Sequence, residues 1–380
     1  MIITLVCDVL GAENNGTTIA AMNLVRFLRN QGHTVRILCA DQDRKGQEDV
    51  YVVPNLNLGR LINKYVERAG VALARPDEAI VRKAFEGADI AHVMMPFPLG
   101  MKAVKVANSI GLPITAGFHV LAHNFTSYIG MHKVKPVNKI VHKFMYRHVF
   151  GRVDAIHYPT QFVRDIFEGD IRRKTNGYVI SNGVHDYVKP FPAEKPDAMK
   201  DKTVIVTTGR YANEKAQDVL IKAIKYSKYK NSIQLILAGM GVREAAFRKL
   251  ARDLPVQPIF KFYSREELVE VLNYADMYVH PADAELEGIA CTEAITCGKL
   301  IITSDSRYAA PRTFAIDEKC MFRKRSPKDL AHVIDYWIEH PEERAEYEKK
   351  YLESAVSFEQ QACLRNMEKM LTEVKNGKKR

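Results

Sequence analysis

No apolar run in this 380-residue sequence reaches the roughly 18 residues needed for a membrane-spanning helix. The first seven residues form a short apolar run without a basic flank, so we expect no signal peptide. Low-complexity tracts are also missing, and the 47% hydrophobic and 27% charged residues are ordinary for a globular protein. We therefore expect a folded chain, long enough for two domains, and neither an integral membrane protein nor a disordered one.

The six cysteines show no closely spaced pairing motif, and Cys7 and Cys39 fall in strand-like runs. Only Cys291 and Cys297 are near one another, and no histidine cluster accompanies them. A tetrahedral metal site needs several such ligands together, so we expect none here. Buried thiols in a reducing cytosol are the better interpretation.

Carboxylates are absent from Ile90 to Val153, a stretch that holds six of the twelve histidines. The whole chain carries a formal charge of +11, and residues 1–185 hold 23 Lys and Arg against 15 Asp and Glu. A basic half of this kind indicates an anionic partner. Nucleic acid, a membrane surface and a phosphorylated substrate all remain open at this point.

The first half alternates strands with helices. Ile2–Cys7 is a short apolar strand, a turn at residues 14–18 offers a helix cap, and a helical period runs to Gly32 before the strand Thr34–Cys39. Further strands are predicted near residues 90–94, 113–117, 154–158 and 177–180. This pattern is typical of a parallel sheet with helices on its faces.

A second series follows the Pro-rich and charged segment 189–202, which is typical of a linker. Its predicted strands lie in "TVIVTTGR", "IQLILAGMG", "IFKF", "MYVHPA" and "LIITSD". We predict an α/β protein with two doubly wound Rossmann-like domains facing a central cleft, where ligands bind beyond the carboxyl ends of the strands. The predicted boundaries are 1–185 for the first domain, 186–355 for the second, and 356–380 for a C-terminal helix packing back on the first.

Two segments after predicted strands of the second half suit phosphate. Arg210 and Lys215, in "TGRYANEK", offer charge-assisted donors on a turn before a helix. A solvated loop is the alternative for this segment. Gly239, in "LAGMG", permits close backbone approach to a ligand, although a lone Gly-x-Gly pattern is weak.

Two carboxylates flank a predicted helix start in "ELEGIACTEAITCG". Gly288, Ile289 and Ala290 would present free backbone N–H groups to an anion. Glu285 lies on the loop before them and could accept hydrogen bonds from sugar hydroxyls, whereas Glu293, inside the helix, could accept from a ribose diol. A capping role for Glu285 and a solvated face for Glu293 are the alternatives.

These two glutamates, their seven-residue separation and the following "EAITCGKLIITSD" resemble retaining glycosyltransferase family 4, which has the two-domain GT-B fold and uses nucleotide-activated sugars. "GRYANEKAQDVLIKAI" resembles the phosphate-binding segment of that family, and "VISNGV" resembles the strand and turn that lead into its second domain. The resemblance implies that Glu293 holds the ribose and that Glu285 holds the donor sugar. It also implies donor contacts for these residues: Arg210, Lys215, Gly239, Gly288, Ile289 and Ala290.

Two positions depart from the common family sequence. Leu286 and Glu287 replace the glycine and aromatic residue that usually follow the first glutamate. The six-residue offset from Glu287 to Glu293 does not fit the family spacing, so Glu287 is not taken as the first member of the pair. The glycine-rich turn after the first strand is reduced to Asn15-Gly16. Gly16 is the residue that the resemblance assigns to the donor there.

"GFHVLAHNFTSYIG" follows a predicted strand and most resembles bacterial diacylglycerol glycosyltransferases, as does "ELEGIAC". This resemblance places His119 near the donor sugar and phosphate as a catalytic residue, together with Glu285. His123 and Asn124 are weaker candidates in the same segment. A histidine that is satisfied inside a loop is the alternative for His119.

A basic amphipathic helix is predicted to begin near Pro136. Its basic face repeats every four residues and comprises Lys135, Lys139, Lys143 and Arg147. The opposite face is predicted to be apolar and comprises Val137, Ile140, Val141, Phe144, Met145 and Val149, with Tyr146 and Phe150 as interfacial aromatics. Such a helix suits an anionic lipid surface. A packed helix with a solvated basic face is the alternative, and no nucleic-acid motif accompanies the charge.

The sequence thus favours a retaining α-glycosyltransferase that moves glucose or galactose from UDP-glucose or UDP-galactose to a diacylglycerol or ceramide-like hydroxyl. No metal cofactor is expected, because cationic side chains and a helix N-terminus can stabilise the departing diphosphate. The expected location is the inner face of the cell membrane, as a peripheral cytoplasmic protein that binds no nucleic acid. A glycosyltransferase for polysaccharide or lipid-linked oligosaccharide assembly is the first alternative, and a noncatalytic binding module is the second.

Overall fold

The structure is a computed structural model that describes residues 1–8, 10, 16–56, 74–120 and 135–377. It divides into two compact units. The first unit comprises Met1–Asn182 and Cys363–Arg380, and the second comprises Gly183–Ala362.

The first unit contains a seven-stranded sheet in the order β3-β2-β1-β4-β5-β6-β7, with every neighbouring pair parallel. Its strands are β1 (Ile2–Val6), β2 (Thr34–Cys39), β3 (Val50–Val52), β4 (Ile90–Val93), β5 (Ile114–Gly117), β6 (Ala155–Tyr158) and β7 (Gly177–Val179). The helices described before the second unit are α1 (Gly16–Asn30), α2 (Glu78–Phe85), α3 (Pro98–Ile110), α4 (Lys135–Met145) and α5 (Gln161–Ile171).

The second unit contains a six-stranded parallel sheet in the order β10-β9-β8-β11-β12-β13. Its strands are β8 (Thr203–Thr208), β9 (Ile233–Ala238), β10 (Ile259–Lys261), β11 (Met277–His280), β12 (Ile301–Ser304) and β13 (Met321–Phe322). Its helices are α6 (Gln217–Tyr226), α7 (Glu244–Ala251), α8 (Arg265–Tyr274), α9 (Ile289–Thr296), α10 (Pro327–Glu339) and α11 (Pro341–Ser354).

The last helix, α12 (Gln360–Asn376), adds its apolar side to the core of the first unit. Met367, Met370 and Leu371 are buried in one cluster with Ile3 and Leu5 of β1. Polar contacts accompany this packing, since Glu368 lies 2.7 Å from the His33 ring and Glu373 accepts a hydrogen bond from the Tyr178 hydroxyl at 3.0 Å. The chain therefore returns to the first unit after completing the second.

The sequence pattern explains why these runs become central parallel strands. All six residues of β9 are buried, as are all four residues of β4, β6 and β11. Strands covered by helices on both faces favour such continuous apolar runs. Local signals set the helix ends, as when Ser264 and Glu267 form a reciprocal capping box at the start of α8. The predicted two-domain α/β class is confirmed.

The segment 189–202, expected to be a linker, is anchored to the second unit. Asn273 donates a hydrogen bond to the Lys189 carbonyl at 3.1 Å, and the Lys195 ammonium lies 2.5 Å from the Asp276 carboxylate. Its Pro and charge content therefore marks a surface segment that packs along one unit. All six cysteines are buried and form no disulfide, as expected.

Candidate active site

The phosphate candidates lie in the turn between β8 and α6. The turn contains a 3-10 segment, Asn213–Lys215, and Ala216 adopts a left-handed conformation (φ 54°) immediately before α6 begins. Arg210 is exposed and its guanidinium lies 3.1 Å from Glu214. Lys215 is half-buried, and its ammonium contacts the Glu285 carboxylate. The turn therefore carries two cations beside a helix N-terminus, which is a setting that suits a phosphate.

Gly239 has a structural reason for being glycine. Its φ is 158°, and an added Cβ would lie 2.1 Å from the Gly209 carbonyl oxygen of the turn just described. An added Cβ on Gly241 would likewise lie too close to the backbone of Tyr211. The Gly-x-Gly pattern thus lets the loop after β9 pack against the loop after β8, and ligand contact is not needed to explain it.

The loop that carries Glu285 is fixed on both sides. The Asp283 amide donates to the Glu214 carbonyl at 2.8 Å, and the Glu285 amide donates to the Tyr308 carbonyl at 3.0 Å. Arg325 ties the same loop to the phosphate turn, because its guanidinium contacts Asp283 and donates to the Asn213 carbonyl at 2.8 Å. The sequence did not reveal Asp283 or Arg325 as supports, since their partners are far away along the chain.

The Glu285 carboxylate lies among donors. Besides Lys215, the Nε2 atom of His280 lies 3.5 Å from its Oε2 atom. Burial alone would raise the pKa of Glu285, but Lys215 and His280 outweigh burial and hold that pKa well below its usual range. Glu285 is therefore ionised at neutral pH and forms an ion pair with Lys215.

Helix α9 begins directly after this loop. Gly288 precedes it with φ 84°, and an added Cβ there would lie 2.5 Å from Pro311, so this position requires glycine. Ile289 and Ala290 form the first turn, whose amides lack intrahelical acceptors in any α-helix. These amides carry a partial positive charge and lie at the same end of the sheet as Lys215 and Glu285.

Glu293 lies one turn inside α9 and behaves differently from Glu285. Burial raises its pKa to about 7, with only partial opposition from Arg265. Glu287 is 4% exposed, whereas Glu285 and Glu293 are both half-buried. The second unit thus brings Lys215, Glu285 and the start of α9 together, with Arg210 in the adjoining turn.

His119 lies in the first unit, two residues after β5, and is 8% exposed. It lines a cavity of about 20 Å³, enough for one water molecule, together with His92 of β4 and His157 of β6. Burial lowers the pKa of His92 to about 3 and that of His157 to about 4, and it holds the pKa of His119 far below its usual range. All three imidazoles are therefore neutral at pH 7.

Of these three histidines, the sequence pattern indicated only His119 as a candidate site residue. A signal was present, because the three histidines lie in or just after three strands that are neighbours in the sheet. His123 and Asn124 lie outside the described residues. Gly16 is the exposed first residue of α1, and the turn before it is also outside them.

The predicted basic and apolar faces of α4 are not separate in the structure. Ile140 and Phe144, predicted on the apolar face, are 66% and 49% exposed beside the exposed Lys139 and Lys143. The inward positions, spaced four, three and four residues apart, are occupied by Asn138, His142, Met145 and Val149. Two polar residues therefore take inward positions. At His142 the Nδ1 atom lies 2.8 Å from Asp170 of α5.

The outer surface of α4 consequently combines basic and apolar side chains. Arg147 is exposed as well, in the π-helical turn Tyr146–Phe150 that follows α4. Lys135 is the first residue of α4, and its side chain is outside the described part. Among the described residues, no helix is long and apolar enough to span a membrane, and no group of three or more His, Cys, Asp or Glu is placed to hold a metal ion.

Two family models match successive parts of the chain. Residues 14–186 match "Glycosyltransferase Family 4", and residues 189–353 match "Glycosyl transferases group 1". The alpha-monoglucosyldiacylglycerol synthase of Streptococcus pneumoniae is 22% identical over 81% of this chain and 72% of its own length.

Solved structures give two further comparisons. HepE of Anabaena, in complex with UDP-glucose, is 15% identical over 98% of this chain and 99% of that chain, with a TM-score of 0.73. The catalytic domain of cholesterol-alpha-glucosyltransferase from Helicobacter pylori is 41% identical over 41% of this chain and 99% of that chain, with a TM-score of 0.38. The likeness to HepE establishes the fold, which is that of two-domain GT-B proteins.

Proposed function

Because this chain belongs to glycosyltransferase family 4 and has the GT-B fold, we propose that it transfers a hexose, glucose or galactose, from a UDP-sugar to a hydroxyl group of a membrane lipid. The observation that carries the donor half of this proposal is the Lys215–Glu285 contact beside the first turn of α9. It puts a cation for a diphosphate next to a carboxylate for sugar hydroxyls.

Each part of the donor has a residue proposed for it. Arg210 and Lys215 bind the diphosphate, and the amides of Ile289 and Ala290 donate to phosphate or sugar oxygens. Glu285 accepts hydrogen bonds from the donor sugar, and Glu293 accepts them from the ribose diol. The neutral imidazole of His119 can donate or accept a hydrogen bond on a sugar hydroxyl. The complex of HepE with UDP-glucose supports a UDP-sugar as the donor.

The proposed chemistry is displacement on one face of the sugar, which retains the α configuration. The bond from C1 to the diphosphate oxygen breaks, the acceptor oxygen forms the new glycosidic bond on the same face, and the acceptor proton passes to the departing phosphate. Arg210, Lys215 and the α9 N-terminus stabilise the charge that develops on the diphosphate. We therefore expect turnover to be unchanged when EDTA is added to the assay.

The acceptor half rests on α4 and on one relative. Lys139, Lys143 and Arg147 are exposed together with Ile140 and Phe144, so the surface offers cations for anionic headgroups and apolar side chains for the acyl boundary. The pneumococcal relative is named for the synthesis of a glucosylated diacylglycerol. Diacylglycerol or a ceramide-like lipid is the proposed acceptor, and the inner face of the cell membrane is the proposed location.

The test incubates the purified protein with UDP-glucose or UDP-galactose and vesicles that contain anionic lipid and diacylglycerol. The expected result is a lipid-soluble hexose product with an α linkage, formed from one of the two donors. A product that appears only with a lipid-linked oligosaccharide or polysaccharide acceptor would replace the lipid-hydroxyl proposal. A protein that neither binds UDP nor releases it from either donor would contradict the enzyme proposal as a whole.

A further inference from the structure

A chain of buried polar side chains ends at Glu285. The Thr208 hydroxyl lies 3.0 Å from the Tyr278 hydroxyl, which lies 3.3 Å from Nδ1 of His280. Nε2 of His280, on the other side of the ring, faces Oε2 of Glu285 at 3.5 Å. Thr208 ends β8 and His280 ends β11, and these two strands are neighbours in the sheet.

One assignment of protons gives each contact in this series of side chains a donor and an acceptor. Burial lowers the pKa of His280, so its imidazole is neutral and carries one N–H group. If the Tyr278 hydroxyl donates to Nδ1, the proton of the ring lies on Nε2 and points to Glu285. The Thr208 hydroxyl then donates to the Tyr278 oxygen, and each member of the chain has a partner in one direction.

The last contact of this chain is incomplete. A distance of 3.5 Å is long for a hydrogen bond, and among the described residues Nε2 of His280 has no closer partner, although His280 is 2% exposed. A buried N–H group without a full hydrogen bond is destabilising, so the geometry favours a movement that shortens this contact. Hydrogen bonds at active sites often tighten in this way when substrate binds.

Donor binding supplies a reason for that movement. Lys215 is the principal cation at Glu285, yet Lys215 is also the proposed partner of the diphosphate. A diphosphate that attracts the ammonium weakens its contact with Glu285, and a carboxylate at this depth needs another donor to remain ionised and in place. His280 is the side chain positioned to provide it.

We propose that His280 is a positioning residue, whose Nε2–H group closes on Glu285 when Lys215 engages the diphosphate and thereby fixes that carboxylate against the donor sugar. This inference rests on the proposed function, because it takes Glu285 to contact the sugar and Lys215 to contact the diphosphate. Tyr278 and Thr208 hold the imidazole in the required orientation.

Two substitutions separate this role from simple packing. His280→Gln keeps an N–H donor near the position of Nε2, whereas His280→Asn keeps polar atoms only near the position of Nδ1. We expect kcat for hexose transfer to stay within about threefold of wild type in His280→Gln and to fall about tenfold or more in His280→Asn. The Kd for UDP should stay within about twofold in both, since Glu285 does not touch the nucleotide.

Two further variants complete the design. Tyr278→Phe removes the hydroxyl that orients the ring, so kcat should fall a few-fold with the UDP affinity retained. Thr303→Val is the matched control, because Thr303 pairs with His280 in the sheet and its buried hydroxyl has no hydrogen-bond partner in the part of the chain that the structure describes. This variant should match wild type in both measurements.

The outcomes distinguish the inference from the function on which it rests. A wild-type protein without UDP binding or hexose transfer would overturn the proposed function itself. With an active wild type, the inference is overturned if His280→Asn retains as much kcat as His280→Gln. Loss of UDP affinity in parallel with kcat would also overturn it, because His280 would then support the whole nucleotide site.

Discussion

Glu285 in the second unit and His119 in the first are both largely shielded from water, but their neighbours differ in charge. Glu285 lies beside Lys215 and His280, and these donors outweigh burial and keep its carboxylate ionised. His119 lies beside His92 and His157, where burial and two like neighbours keep the imidazole neutral. The two regions therefore differ in electrostatics. The surroundings of Glu285 stabilise a charged side chain, whereas those of His119 destabilise one.

Acid should break this comparison with the largest effect. His92 and His157 have folded-state pKa values of about 3 and 4, below the ordinary value of 6.5, so the unfolded chain binds more protons than the folded one as the pH falls below 6.5. Their stabilising contribution is complete above pH 6.5 and is lost progressively toward pH 4. The two together should lower the free energy of unfolding by about 3 kcal/mol between pH 6.5 and 5, and by about 5 kcal/mol by pH 4.

Hydrogen exchange measured by mass spectrometry tests this expectation strand by strand. Protection of β4 and β6 should fall as the pH is lowered to 5, while β8 and β11, where His280 is the one histidine, should lose less after correction for the intrinsic pH dependence of exchange. Trp337, the single tryptophan, is buried in the second unit and reports separately on that unit by fluorescence. Equal loss of protection in both sheets would contradict the distinction.

Charge reversal on α4 should have the next largest effect. Each basic group near an anionic membrane contributes on the order of 1 kcal/mol, so replacing Lys135, Lys139, Lys143 and Arg147 by Glu should weaken vesicle binding by at least about 4 kcal/mol. Transfer to membrane lipid should fall with it, whereas hydrolysis of the UDP-sugar by water should continue. Sedimentation with anionic and neutral vesicles over a range of salt concentrations measures the binding.

An apolar variant of the same helix sharpens that experiment. Replacing Ile140 and Phe144 by Ser leaves the charge intact and should weaken vesicle binding in a way that added salt does not reproduce. If the charge-reversed protein still sediments with anionic vesicles, the outer face of α4 is an ordinary solvated surface and the lipid proposal loses its structural support.

Removal of a cation from the phosphate turn should have a smaller effect. Arg210→Ala deletes a charge-assisted contact worth roughly 1.5–3 kcal/mol, which corresponds to a loss of UDP affinity of about 10- to 150-fold. Lys222→Ala is a matched control, because Lys222 is a cation of α6 whose side chain is 44% exposed and pairs with Asp218. Isothermal titration with UDP checks both, and an unchanged affinity in Arg210→Ala would mean that the turn does not hold phosphate.

Some parts of the fold could be predicted from the sequence and others could not. The central strands were predictable because each is a short buried run with turn residues at its ends. The strands β3 and β13, of three and two residues, were not predicted. The two sheets and their parallel order followed from the alternation of strands and helices.

The sequence allowed site residues to be proposed together mainly where they are neighbours along the chain. Glu285, Gly288 and Glu293 share one segment and were proposed together, whereas His280 and Arg325 act through partners contributed by other strands and turns. On α4 the inward positions Asn138 and His142 were not predicted, because a polar residue gives no apolar signal of burial. At His142 the Asp170 carboxylate pairs with the buried imidazole.

The smallest expected effect concerns the pH dependence of nucleotide binding. Glu293 has a pKa of about 7, and only its ionised form accepts both hydrogen bonds of a ribose diol. UDP affinity should therefore rise about tenfold from pH 6 to pH 8. Glu293→Gln should bind UDP more weakly at pH 8 and lose most of this dependence, and an unchanged pH profile in that variant would remove Glu293 from the ribose site.

The assignment of Glu285 to the donor sugar is tested most directly by kcat for hexose transfer and the Kd for UDP in Glu285→Gln. We expect kcat to fall about 100-fold or more, because the ionised carboxylate contacts the reacting sugar. We expect the Kd for UDP to change by less than about threefold. A fall in UDP affinity equal to the fall in kcat would contradict this assignment. So would a Glu285→Gln variant with normal kcat beside a Glu287→Gln variant that has lost it, since Glu287 would then be the carboxylate that holds the sugar.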